Sequence, residues 1–206
     1  MIAVQCDFIL KMKEVEGEAS ELFQKGRSEI LPELNWTARI QQKIVGETQQ
    51  SIFSITSIWE DLIVWNNEFQ NALLNKQFFA WYEDICEISS YGGNWNISEL
   101  LEPYTKTSND PGIIEIQSSY IVQFKNISKA TQVMQEGLRK KILKGHCSRR
   151  IFGPNAQTLF TWSSFWDSLS DWEKAIYDRP PDVHIKSEAW FANWTKVIDF
   201  GGPKEV

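Results

Sequence analysis

Alternation opens the chain. In VQCDFIL the residues Val4, Cys6, Phe8 and Leu10 fall on one side of an extended segment, and Gln5, Asp7, Ile9 and Lys11 on the other. A period of two is the mark of a half-buried strand. The next segment, GEASELFQKGRSEIL, spaces its apolar residues three and four apart among good helix formers, which predicts an amphipathic helix. TARIQQKIV and SIFSITSI return to a strand pattern on either side of Gly46-Glu47. A helix is expected after them, opened by Ser57 with Glu60 as capping residues and carrying Trp59, Leu62 and Trp65 along one side. A second helical stretch ends at Ile88, and Gly92-Gly93 provide a tight re-entry into a final strand, GNWNIS. The order is strand, helix, strand, strand, helix, strand.

The same order then recurs with related residues. VQCDFIL matches IQSSYIV, Gln24-Lys25-Gly26 matches Gln135-Glu136-Gly137, QQSIFSITSIWEDLIVW matches AQTLFTWSSFWDSLSDW, and AWYEDICEISSYGG matches AWFANWTKVIDFGG. The offsets are 112 (Val4 to Ile116), 111 (Gly26 to Gly137), 107 (Phe53 to Phe160) and 109 (Ala80 to Ala189). Small drifts of this kind are what insertions in surface loops produce between duplicated elements. In the second copy the strand face is Ile116, Ser118, Tyr120 and Val122, followed by the helix ISKATQVMQEGLRKKIL. The hairpin SRRIF and TLFTWSSF surrounds Gly153-Pro154-Asn155; the next helix is opened by Ser168 with Asp171 and carries Trp166, Leu169 and Trp172. A last helical stretch ends at Val197, with Gly201-Gly202 leading into PKEV as the final strand. LEPYTKTSNDPG concentrates turn-favouring residues between the copies. The expected division is therefore 1–100 as the first repeat, 101–112 as a linker and 113–206 as the second repeat.

Each copy carries the split strand-helix-strand pattern of a ferredoxin-like sandwich, an antiparallel four-stranded sheet with two helices on one face. The fold class expected is α+β, two tandem ferredoxin-like repeats. One copy alone leaves a sheet face bare, so the two are expected to close as a pseudo-dimeric α/β barrel. Composition narrows the function classes rather than naming one. Of 206 residues 42% are hydrophobic and 23% charged, which fits a globular chain and excludes collagen-like and largely disordered classes. The net charge of −6 and the lack of any basic run argue against nucleic acid or an anionic membrane as partner. Cys6, Cys86 and Cys147 stand far apart without CxxC spacing, so reduced thiols are expected rather than a zinc site or a disulfide scaffold. MIAVQCDFILKMKEVEG is interrupted by Asp7 and Lys11 and reads as neither signal peptide nor membrane span, which favours a cytoplasmic location.

FWDSLSDWEKA, Phe165 to Ala175, followed by EAWFANWTKVIDFGGPKEV, resembles the dimeric α/β-barrel superfamily in its NIPSNAP-like and antibiotic-biosynthesis-monooxygenase-like branches, here as a tandem single chain. Those branches commonly show an aromatic residue before a SLADxE helix start and a tryptophan-rich helix before the last strand. The resemblance covers nearly the whole chain and rests on packing motifs. It implies the barrel, and with it cofactor-free oxygenases, cyclases, isomerases, haem enzymes and proteins without established catalysis. Fold analogy does not choose among them.

The strand faces opposite the helices supply the candidate chemistry. Gln5, Asp7 and Lys11 on the first strand, and Gln117, Ser119 and Gln123 on its repeat, either line a pocket for a small polar-aromatic ligand or satisfy one another. Trp162 stands where the first copy has Ile55, placed either to stack on a planar ligand or to fill the core. Arg149 and Arg150 replace Gln42 and Lys43, and one of the two, with Arg150 the candidate, would meet a carboxylate or enolate oxygen. His146 and His184 are the only histidines; His146 joins Asp7 as a candidate proton carrier, and a histidine could hold haem axially as in some members of the superfamily. No nucleophile elbow, phosphate loop or HExxH motif is present, which sets aside hydrolase, NTPase and metalloprotease chemistry. The expectation is a small-molecule-binding barrel without a cofactor: a monooxygenase, cyclase or isomerase acting on a small aromatic or polyketide-like substrate. The alternatives are a non-catalytic NIPSNAP-like binding protein and a haem-binding barrel. Homo-oligomerisation is left open.

Overall fold

One six-part order of strands and helices occurs twice along the chain. The computed structural model describes residues 1–11, 16–43, 51–90, 93–102, 114–178 and 180–201. The chain divides into two compact units, Met1–Ile97 and Ser98–Val206. The expected linker falls mostly outside the described residues, as do the Gly46-Glu47 turn, Gly92, Gly202 and PKEV.

In the first unit, β1 (Ile2–Ile9) leads into α1 (Glu16–Lys25), a wide π turn (Gly26–Ile30) and a short α2 (Leu31–Glu33). The hairpin strands β2 (Ala38–Gln42) and β3 (Ile52–Trp59) follow, then α3 (Leu62–Leu74), α4 (Lys76–Ile88) and β4 (Asn94–Leu100), whose last three residues fall in the second unit. Their order across the sheet is β2-β3-β1-β4. Residues of β1 alternate strictly between buried and half-buried, because Val4, Cys6 and Phe8 turn to the helices while Gln5, Asp7 and Ile9 turn away. In the second unit the elements are β5 (Ile114–Val122), α5 (Ile127–Arg139), β6 (His146–Phe152), β7 (Leu159–Trp166), α6 (Leu169–Tyr177), α7 (Pro181–Trp194) and β8 (Ile198–Gly201). Their order, β6-β7-β5-β8, repeats that of the first unit. Each unit is a ferredoxin-like α+β sandwich. Among the described residues no helix is long and apolar enough to cross a membrane.

The two registers coincide. Ile2 lies opposite Trp59 and Cys6 opposite Ile55; in the second unit Ile114 lies opposite Trp166 and Ser118 opposite Trp162. Residues shared between the copies do the same physical work in each. Trp81 of α4 donates its indole N–H to the Leu22 carbonyl at 2.8 Å, and Trp190 of α7 donates to Val133 at 2.7 Å. Each indole lies on a glycine: a Cβ on Gly26 would come within 2.2 Å of Trp81, and one on Gly137 within 2.8 Å of Trp190. Trp59 and Trp166 each donate to the serine two residues earlier, Ser57 at 2.7 Å and Ser164 at 2.9 Å, and both serines are buried.

One exchange breaks this symmetry. Trp162 packs on the second core and donates its indole N–H to the Lys144 carbonyl at 2.7 Å, so it leans on the segment that contains buried Leu143. By strand register the counterparts of Leu143 and Trp162 are Trp36 and Ile55. The first unit takes its tryptophan from the segment before β2, and the second takes it from the strand.

The helix starts need correction in the first copy. Ser57 is a strand residue, and Asp61 is the cap of α3, accepting from the backbone N–H of Ile63 and Val64. In the second copy Ser168 caps α6 as expected, accepting from Asp171. Trp59 and Trp166 end strands rather than begin helices, and Leu62 and Leu169 are exposed. The last described strand is Ile198–Gly201.

Candidate functional site

In the first unit the helices do not fill the space over the sheet completely. A cavity of about 20 Å³ lies between β1, β3, β4 and the helices, with Val4, Cys6, Ile55 and Ser57 at its sheet side. Aromatic rings form most of the rest: Trp36, Trp65, Phe69, Phe78, Tyr82 and Trp95. They hold one another edge-on or stacked. Phe69 is central, its centroid 5.2 Å from Trp95, 5.8 Å from Trp65 and 6.3 Å from Tyr82. Phe78 lies flat on Tyr82 at 6.0 Å, and Trp36 meets Trp59 edge-on at 5.3 Å. Rings of this kind present both π faces and polarised edges to a planar guest.

Three polar side chains reach the lining. Ser57 Oγ is engaged by the Trp59 indole. The Tyr82 hydroxyl accepts from Trp95 and donates to the Cys86 thiol, one turn further along α4. Burial pushes the Tyr82 hydroxyl well above its ordinary pKa, with Cys6, Cys86 and the hydrogen bond to Cys86 acting in the same direction. Burial likewise raises the Cys6 thiol, and Asp7 and Cys86 add to it. Tyr82 and Cys6 therefore stay protonated at neutral pH, and neither serves there as a base. Haem does not fit here: no histidine lines the cavity, and burial holds Cys6 as a thiol rather than a thiolate ligand. Among the described residues no cluster of His, Cys, Asp and Glu is placed to hold a metal ion.

The residues singled out in the sequence fall elsewhere. Gln5 and Asp7 lie on the sheet face turned away from the cavity. There Gln5 Nε2 and Ser54 Oγ each donate to Asp7 Oδ1 at 2.7 Å, and Asn96 Nδ2 donates to Oδ2 at 3.3 Å. In the second unit Gln117, Ser163 and His146 form one row across three strands on the corresponding face. Gln117 donates to Glu115, Ser119 bonds with Thr161, and the His146 ring lies 5.5 Å from Phe165. Arg150 shares that face and donates to the Pro154 carbonyl, whereas Arg149 pairs with Glu99 at 2.6 Å. Trp162 is on the helix side, apart from Gln117 and Ser119. His184 is exposed on α7 beside Glu188. Asp7 and His146 belong to different units.

Sequence reasoning passed over the cavity because its tryptophans read as core. A signal was present in the comparison of copies. Where the first has Trp36, Phe69, Phe78 and Tyr82, the second has Leu143, Ile176, Ser187 and Phe191, an aromatic excess confined to one copy.

No protein-family profile and no curated protein matches the sequence. Solved structures do match its fold. A candidate monooxygenase from Fusobacterium nucleatum subsp. nucleatum superimposes with a TM-score of 0.67 at 9% identity, over 98% of this chain and 88% of that one. A second candidate monooxygenase, from Lactobacillus acidophilus, gives 0.66 at 7% identity over 98% and 90%. An anthrone oxidase-like protein gives 0.55 at 14% identity over 97% and 86%. Identities this low carry the fold alone: a ferredoxin-like α+β architecture shared with monooxygenase-like proteins.

Proposed function

We propose that the first unit binds a small planar aromatic or polyketide-like molecule among its rings, and that the protein is a cofactor-independent monooxygenase for such a substrate. The observation that carries this reading is the aromatic cavity itself, apolar except for Ser57, Cys6 and Tyr82. An anthrone is the type of substrate that needs least from a protein. Its acidic methylene loses two hydrogens, one atom of dioxygen becomes the new carbonyl oxygen, the other leaves as water, and no outside reductant is required. What the site contributes is orientation between rings and exclusion of water, with the Cys6 thiol, and the Tyr82 hydroxyl once it turns from Cys86, able to donate to a carbonyl or enolate oxygen.

A second reading places the ligand on the opposite sheet face, where Gln5, Ser54 and Asn96 converge on the Asp7 carboxylate and hold its orientation. Both readings meet one assay. Dithranol, a dihydroxyanthrone, is incubated with the protein in air-saturated buffer while oxygen uptake and quinone absorbance are followed. Acceleration over the spontaneous reaction is expected, lost about tenfold in Tyr82→Phe through one missing hydrogen bond. Loss in Asp7→Asn with Tyr82→Phe unaffected would move the site to the polar face. A thermal shift without turnover indicates a binding protein, and neither shift nor turnover overturns the proposal.

A further inference from the structure

The cavity is too small for the ligand its walls suit. About 20 Å³ holds little more than one water molecule, so a wall must move before any aromatic guest enters. The strands are tied by ladder hydrogen bonds, and α4 is anchored by buried Phe78, Trp81, Ile85 and Ile88 together with the Trp81 bond to Leu22. Helix α3 is different. Ala72 is its one fully buried residue among 13, while Leu62, Ile63 and Val64 at its start are exposed. It still supplies Trp65 and Phe69 to the lining.

Both ends of α3 are built to let it move as a unit. Asp61 satisfies the first backbone N–H groups from its own side chain. Asn75 is at once the last cap of α3 and the first cap of α4, in extended conformation, with its Oδ1 accepting from Gln77 and Phe78. A rotation at Asn75 therefore leaves the hydrogen bonds of both helices in place. We infer that α3 is a lid, hinged at Asn75 and latched by its Trp65 and Phe69 against Trp95 of β4, whose opening turns the small aromatic cavity into a substrate-sized cleft. The identity of what enters rests on the proposed function; the opening does not.

Cys6 is a native reporter, since its thiol lines the cavity and is 2% exposed. In a Cys86→Ser, Cys147→Ala background it is the sole thiol of the chain. Its labelling by N-ethylmaleimide is expected to proceed by local opening, with little dependence on low urea concentrations, and to accelerate about tenfold in Trp65→Ala. In the unmodified protein, amide exchange along Val64–Leu74 should outpace that along Phe78–Ile88. The lid is overturned if Cys6 reacts only at the rate and urea dependence of global unfolding, if Trp65→Ala leaves its rate unchanged, or if both helices exchange together. Naphthol that fails to slow the labelling counts against the aromatic ligand while leaving the lid in place.

Discussion

Replacing Gly26 with alanine sets two effects against each other. Alanine is better than glycine inside a helix by about 0.8 to 1 kcal/mol, so helix propensity alone makes the change stabilising. The new Cβ, however, would stand 2.2 Å from Cζ2, 2.7 Å from Cε2 and 3.0 Å from Cη2 of Trp81. That indole is 2% exposed, pinned to the Leu22 carbonyl and packed against Phe78 at 5.7 Å, so it cannot swing aside. Overpacking of this kind costs about 1 to 3 kcal/mol, and loss of the indole hydrogen bond adds about 0.5 to 1.5. The clash wins. A net destabilisation of about 2 kcal/mol is expected, read in urea as a midpoint lowered by about 1 M at unchanged slope. Gly17→Ala is the control, because nothing lies within 4 Å of its Cβ, and it should be neutral or stabilising. Gly137→Ala should cost less than Gly26→Ala, since two of its nearest atoms belong to the flexible Leu143 side chain. A Gly26→Ala protein as stable as Gly17→Ala would refute the argument that the indole dictates the glycine.

Other measurements probe separate parts of the reasoning. Ser57→Ala and Ser164→Ala each strand an indole N–H in its own unit, and each should lower stability by about 1 to 3 kcal/mol in urea unfolding. Cys6 and Cys147 carry thiols whose folded pKa lies above the ordinary 9.0 because burial disfavours the thiolate. Their contribution is complete below the unfolded thiol's value and fades as pH climbs from there towards the folded one, by about 1.4 kcal/mol per pH unit for each thiol. A stability curve that stays flat above pH 9 would contradict it. Trp36→Leu and Ile55→Trp, each destabilising alone by about 1 to 4 kcal/mol, should be partly mutually corrective in the double variant, which reproduces the pair found in the second unit; additive losses would show that the tryptophans do not share a space.

Much of the architecture is legible in the sequence because it follows from period and recurrence. The offsets of 112 and 107 between copies are the same ones that carry Ile2 and Trp59 onto Ile114 and Trp166 in the strand registers. The recurrent glycines and tryptophans mark contacts kept twice, as Gly26 with Trp81 and Gly137 with Trp190 show. Local boundaries were harder to see. Three-residue spacing of Trp59, Leu62 and Trp65 imitates a helical stripe, yet it crosses the junction where β3 ends and α3 begins, and only the burial of Ser57 separates the two cases. The candidate site was less legible still. Alternation on β1 assigns Asp7 and Cys6 to opposite faces, but it is silent on which face keeps an opening, because a void depends on how Trp36, Phe69 and Trp95 meet across distant segments.

The traded tryptophans constrain how the two halves of this gene can recombine. A conversion event that copied β7 over β3 without the segment before β2 would bring two indoles to one place, and the reverse event would leave none. Either product would be mispacked although each fragment is native to the protein. A segment exchanged between the two units is thus tolerated only if it is long enough to carry both positions.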